Sequence, residues 1–162
     1  MSRARRILFA LLLPLTASLA VLPAHAEPAD DNEKPAVATG RPRVKLDRLE
    51  FPASLGNPKE YEGHLRVTLK REARRADWGA SSGSKISYRF SVQQLDLREE
   101  GGVLHVSCTA LGRLPKGKSA KSHIVFGGDA RERKKVVEHV LDIVARGVVT
   151  RLAELERARR TP

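Results

Sequence analysis

The 162-residue chain holds one cysteine and one tryptophan, and its aromatic content is only 4%. A lone Cys forms no internal disulfide and builds no Cys-based metal site. So few aromatics leave few stacking platforms and few walls for a binding pocket. No internal repeat is present. No G-x-S-x-G turn surrounds Ser81, Ser82 or Ser84, and Glu99-Glu100 sit together at a hairpin tip as solvated acids, so neither an activated nucleophile nor an acid–base pair in a cleft stands out. What the chain has in excess is positive charge: 30 Lys+Arg against 19 Asp+Glu give a formal +11, which selects anionic partners in any non-specific encounter.

Residues 1–26 have the layout of a secretory signal. Arg3, Arg5 and Arg6 form a charged start, Ile7 to Leu22 an apolar stretch interrupted by Pro14, and Ala24-His25-Ala26 a small-x-small cleavage pattern. The apolar stretch falls short of the ~20 residues that span a bilayer, so no transmembrane segment is expected after cleavage. Arg5-Arg6 raises a twin-arginine route, but the Leu-rich stretch behind it suits the general secretory route. The only cysteine, Cys108, is far from the cleavage site, which rules out lipidation there. In an oxidising compartment a lone thiol belongs in the core, and Cys108 is expected there.

Residues 27–42 (EPADDNEKPAVATGRP) are rich in Pro, Ala and acids without periodicity and form a flexible leader; residues 43–162 make a single α+β domain. Arg43 to Phe51 is a strand whose apolar phase shifts between Leu46 and Leu49, which implies a bulge near Asp47-Arg48. Asn57-Pro58-Lys59-Glu60 starts a helix, along which Tyr61, Leu65, Leu69, Ala73 and Ala76 form one stripe ending near Asp77. Lys85 to Arg98 alternates as a strand with a second bulge at Gln93-Gln94. Arg98 to Gly102 is a hairpin connection, and the next strand turns Leu104, Val106, Cys108 and Ala110 inward. A third meander strand carries Ala120, Ser122, Ile124 and Phe126. Gly127-Gly128-Asp129 is expected to end the sheet and cap the last helix, with Glu132 completing a capping box. In that helix Val137, Val140, Leu141, Val144, Val148, Leu152 and Leu155 form the buried stripe. Lys135, His139, Asp142, Arg146 and Arg157 fall on the wet face, and Gly147 allows close approach to a neighbour.

The expected fold is thus a β-α-β-β-β-α two-layer sandwich: a four-stranded, mainly antiparallel sheet with two helices on one face. From Ile86 to Leu155, two long hairpin strands, a third ending in Phe126-Gly127-Gly128 and a closing amphipathic helix resemble the amino-terminal α/β module of TolB. They are similar as well to the outer-membrane lipoproteins that activate penicillin-binding proteins. The likeness is one of topology without a shared motif. It implies an envelope adaptor without catalytic residues, although this chain lacks the extra helix and strand of those families and the activators' lipid.

Gly112-Arg113-Leu114-Pro115-Lys116-Gly117-Lys118-Ser119 matches the G-x-x-x-x-G-K-[ST] phosphate-loop pattern. That pattern works only where its Ser opens a helix. Here a strand-like alternation follows Ser119, so a basic hairpin turn is expected and no nucleotide cofactor. His105 and His123 share outward parity on neighbouring strands and could face each other as two metal ligands, a thin site without a third. The surviving feature is a basic face: Arg66, Lys70 and Arg74 at steps of four, with Arg71 and Arg75 beside them, and Lys116, Lys118 and Lys121 at the hairpin.

These features lead to an expected exported envelope protein, periplasmic or secreted. It would bind an envelope protein or an anionic envelope polymer or lipid through its sheet surface and basic helix, without cofactor, metal or catalysis. A small metal-dependent or hydrolytic enzyme built on His105 and His123 is the alternative. A nucleic-acid-binding domain is a lesser one: the α-β-β-β-α order suits a double-stranded-RNA-binding domain, but the export signal and the position of the lysines do not. Amino-terminal sequencing of the soluble envelope fraction is expected to return Glu27. Met1 or Ser2, recovered from a membrane pellet, would make the protein an anchored one.

Overall fold

The computed structural model describes residues 40–53, 58–80, 83–115 and 117–160. The signal, residues 27–39 of the leader, the Asn57 cap, Ser81, Ser82 and Lys116 lie outside them. The elements follow in the expected order: β1 (Arg43–Glu50), α1 (Lys59–Arg75), β2 (Lys85–Glu100), β3 (Val103–Arg113), β4 (Ser119–Asp129), a short 3-10 turn (Ala130–Glu132) and α2 (Arg133–Arg160).

The strands lie in the order β1-β2-β3-β4. The sheet is mixed: β2-β3 and β3-β4 are antiparallel hairpins, whereas β1 runs parallel to β2. This corrects the mainly antiparallel expectation at one edge. A parallel neighbour needs a crossover, and α1 between β1 and β2 supplies it. Both bulges fall where the apolar phase slips, between Leu46 and Arg48 in β1 and between Val92 and Gln94 in β2. Each restores the alternation, so the Leu49 and Leu95 side chains stay with the core. The β2-β3 turn is only Gly101-Gly102. Both have positive φ, +59° and +79°, the backbone that a two-residue turn matched to strand twist requires.

α1 buries Tyr61, Leu65, Thr68, Leu69, Glu72 and Ala73, with acids in its first turn and arginines in its last, as the helix dipole favours. Trp78, just beyond its end, is buried; its Nε1 donates to the Ala73 carbonyl at 2.8 Å, satisfying a helix-end acceptor, and its ring packs 6.2 Å from that of Tyr88. The Tyr88 hydroxyl donates to the Leu69 carbonyl at 3.3 Å and ties sheet to helix.

α2 packs on β3, β4 and α1 at once. Its buried set is therefore wider than the single stripe expected, adding Val136, Ala145, Val149, Ala153 and Glu156, while Leu155, expected in that stripe, is only half-buried. β4 runs through Gly127 and Gly128 to Asp129, so these glycines belong to the sheet and do not end it. Asp129 Oδ1 accepts from the Arg131 amide at 2.9 Å and caps the 3-10 turn, while Glu132 pairs with Lys135 instead of closing a capping box.

Three close approaches seat α2. A Cβ on Gly112 would lie 2.5 Å from Val148 Cγ1 and 2.7 Å from Leu152 Cδ1; one on Gly128 would lie 2.6 Å from Val136 Cγ2; one on Gly147 would lie 3.1 Å from Ser122 Oγ. The last bears out the close approach expected at Gly147. Full burial of each Val or Leu between these points contributes about 1.5–3 kcal/mol. Gly112→Ala is expected to destabilise the domain by about 1–3 kcal/mol in urea denaturation, because the added methyl must displace Val148 and Leu152. Gly63, in the exposed middle of α1 with open space around it, is the contrast: Gly63→Ala should stabilise by about 0.5–1 kcal/mol.

Candidate binding surfaces

The basic residues of α1 separate into two groups. Lys70 and Arg74 are exposed and one turn apart, without an ion pair among the described residues; Arg66 is exposed but bound to Glu62 at 2.7 Å. Arg71 and Arg75 turn toward Glu72, at 3.0 and 3.7 Å, and Arg71 also reaches Asp142 at 3.6 Å. The hairpin lysines diverge. Lys118 Nζ approaches the Leu155 carbonyl at 3.4 Å near the end of α2, a placement the helix dipole favours, whereas Lys121 stands exposed on the outer sheet face.

The seam between α1 and α2 is polar, which the helical periodicity alone did not show. Glu72, 6% exposed, receives Arg71, Arg75 and Arg146. Asp142 was expected on the wet face of α2; instead its Oδ1 accepts from Thr68 Oγ1 at 2.6 Å and meets His64 Nε2 at 2.8 Å. The reason is that α2 has two packed sides, one on the sheet and one on α1. Burial works to raise the Asp142 carboxyl, but the Thr68 and His64 hydrogen bonds and the charges of His64 and Arg71 outweigh it and hold the group below its ordinary value. Near the end of α2, Glu156 is 5% exposed, and hydrogen bonds from Arg159 and Arg160 keep it low as well. Arg160 continues to Ser84 Oγ at 3.0 Å, linking the helix end to the start of β2.

The proposed histidine pair does not meet. His123 is opposite Thr109, with Nδ1 2.9 Å from Thr109 Oγ1, and His105 is opposite Gly127. The two are four residues apart along the ladder, about 13 Å. Parity placed them on the right face, but not in the same row. Among the described residues no group of three His, Cys, Asp or Glu is arranged to hold a metal ion. The phosphate-loop pattern closes a hairpin: Arg113 pairs with Ser119, and the Leu114 amide donates to the Lys118 carbonyl at 2.8 Å. Ser119 therefore opens a strand, as expected, and Gly112 of that pattern is the seat of α2. Cys108 is fully buried in the core, and burial pushes its thiol up to about 12.

The two depressed carboxylates have a sign. A group whose folded value lies below its unfolded one contributes stability that is complete above the ordinary carboxylate range, about 3.9–4.3, and is lost as pH falls through the depressed value. Asp142→Asn is expected to lower stability at pH 7 by about 1–3 kcal/mol. It should also flatten the decline of the urea midpoint between pH 5 and pH 3. An unchanged acid profile would mean that the seam carries no such linkage.

No protein-family model matches the chain, and no curated protein matches it significantly. Solved structures are similar to it in outline. A minor lipoprotein from Acinetobacter baumannii has 16% identity and a TM-score of 0.33 over 74% of this chain and 96% of its own. A candidate lipoprotein from Caulobacter crescentus has 12% identity and a TM-score of 0.39 over 68% and 89%. A candidate homologue of the neuraminyllactose-binding haemagglutinin from Helicobacter pylori has 9% identity and a TM-score of 0.38 over 74% and 87%. TolB and the penicillin-binding-protein activators are not among these three, and likeness at this level assigns no partner to the chain.

Proposed function

We propose that the mature chain is an exported envelope protein that acts by binding and turns over no substrate. Its export rests on the signal pattern ending in Ala24-His25-Ala26. The observation that carries the binding reading is the outward ridge of α1. Arg66, Lys70 and Arg74 recur one turn apart and are exposed, while the opposite side of the same helix is in the core. Such a ridge offers cations to an anionic envelope polymer or lipid surface, and the sheet face and strand edges that no described element covers offer contact to a protein partner. No helix of the described residues is long and apolar enough to cross a membrane.

Surface charge changes cost little stability, within about 0.5 kcal/mol each. Reversing Arg66, Lys70 and Arg74 together to Glu should therefore leave the melt near that of the parent, yet cut retention on phosphatidylglycerol vesicles and on isolated cell-wall polymer at least tenfold. Parental retention should fall as salt rises, because exposed charges are screened beyond about 8 Å at physiological ionic strength. Equal retention of parent and triple variant at every salt concentration would remove the ridge from the proposal.

A further inference from the structure

We propose a phosphate-binding site on the outer face of the sheet, built on Arg48, Arg89 and Arg113. It lies on the side of the sheet that carries no helix among the described residues and is independent of the α1 ridge. Arg48 is the register partner of Arg89, and Arg89 that of Arg113. The three occupy one row across three strands. Their inward neighbours, among them Leu49, Phe90 and Gly112, face the core, and all three arginines are exposed. Adjacent strands are about 4.8 Å apart, so the row spans roughly 10 Å.

Like charges directly opposite each other destabilise a sheet, and nothing in the fold calls for them here. Ser87, Ser91 and Ser119 stand in the same or neighbouring positions of this face, so short neutral residues are accommodated. The row is only partly neutralised. Arg48 holds Glu50 at 2.6 Å, Arg89 approaches Asp47 at 3.6 Å, and Arg113 has no ion pair among the described residues. Lys45 in the adjoining row and Lys121 beyond Leu111 extend the positive field. The other end of the same face holds Asp96, Glu100 and Asp129 around Arg98, which pairs with Glu100 at 3.2 Å, so that end carries no excess of positive charge.

The surface beside the row is concave, with one carboxylate at the border of each depression. Two shallow depressions flank the Arg89–Arg113 pair: one of about 390 Å³ bordered by Asp47 and Pro115, the other of about 290 Å³ bordered by Glu50 and Leu111. A phosphate brings more charge and more oxygens than a carboxylate, arranged to accept from guanidinium groups on two or three neighbouring strands at once. The chemistry that fits is a phosphate ester, free in solution or carried by a lipid headgroup.

Inorganic pyrophosphate, by calorimetry at physiological salt, and vesicles of phosphatidylglycerol in phosphatidylcholine, by co-sedimentation, separate the two sources. Three proteins are compared: the parent, Arg89→Gln/Arg113→Gln, and Lys59→Gln/Lys134→Gln, which removes the same charge from exposed positions outside both the arginine row and the α1 ridge. The arginine pair should lose at least tenfold in affinity while the Lys59/Lys134 pair stays within twofold of the parent. Loss on pyrophosphate identifies a free phosphate ester, and loss confined to vesicles identifies a headgroup. With a like-charge contact removed, the arginine variant should melt at or above the parent. Should it melt lower, Arg89→Lys/Arg113→Lys takes its place, with affinity reduced severalfold because the fork geometry is gone; unchanged affinity there overturns the site. Equal loss in the arginine and Lys59/Lys134 variants would show binding by net charge alone. Loss only in the Lys59/Lys134 variant would move the binding away from the row. Either result, or a parent that binds neither probe, overturns the proposal.

Discussion

The close seating of α2 on β3 and β4 is the constraint from which the rest of the domain follows. Gly128 beneath Val136, Ser122 against Gly147, and Gly112 beneath Val148 and Leu152 mark a track along which the helix approaches the strands more nearly than a β-carbon at those glycines would permit. With α2 held there, one face of the sheet is closed by apolar side chains. α1, crossing between the parallel pair β1 and β2, fills the remaining width. The opposite face receives no cover from the described residues, and the charged and short polar residues of all four strands lie on it beside the exposed Val103 and Val125.

Seating one helix on both a sheet and a second helix brings polar groups into the seam. Thr68, Glu72 and Asp142 are placed where neither helix alone would bury them, and each finds a partner across or along the seam. A buried carboxylate without such partners would cost more than the packing around it returns. The arginines flanking Glu72 and Glu156 are therefore partly structural. That divides the excess of positive charge into cations holding the helices together and cations free to meet a partner.

Much of this was legible in the sequence, and the exceptions have one physical origin. Both bulges showed as slips in apolar phase, because a strand must return its side chains to the core face after an inserted residue. The last helix announced its stripe, and the strand after Ser119 disqualified the phosphate-loop pattern. What failed were relations between distant segments. A helical wheel drawn for α2 alone puts Asp142 on the wet face, since nothing local tells of α1. Parity put His105 and His123 on one face but could not set the row, which depends on where the hairpin turns. For the same reason Arg48, Arg89 and Arg113 do not appear as a group in the chain; only the register aligns them. The ridge Arg66-Lys70-Arg74, by contrast, is written in local spacing, although the engagement of Arg71 and Arg75 with Glu72 is not.

A sheet covered on one side divides the domain between a face that folds and a face that meets the surroundings. The most direct measurement of that division is amide chemical-shift mapping of the isotope-labelled mature domain, titrated with inorganic pyrophosphate at physiological salt. If the bare face is the binding face, the perturbed amides cluster in β1, β2 and β3 around Arg48, Arg89 and Arg113, while α1 stays still. Perturbations centred on Lys70 and Arg74, or spread evenly over the surface, would contradict it.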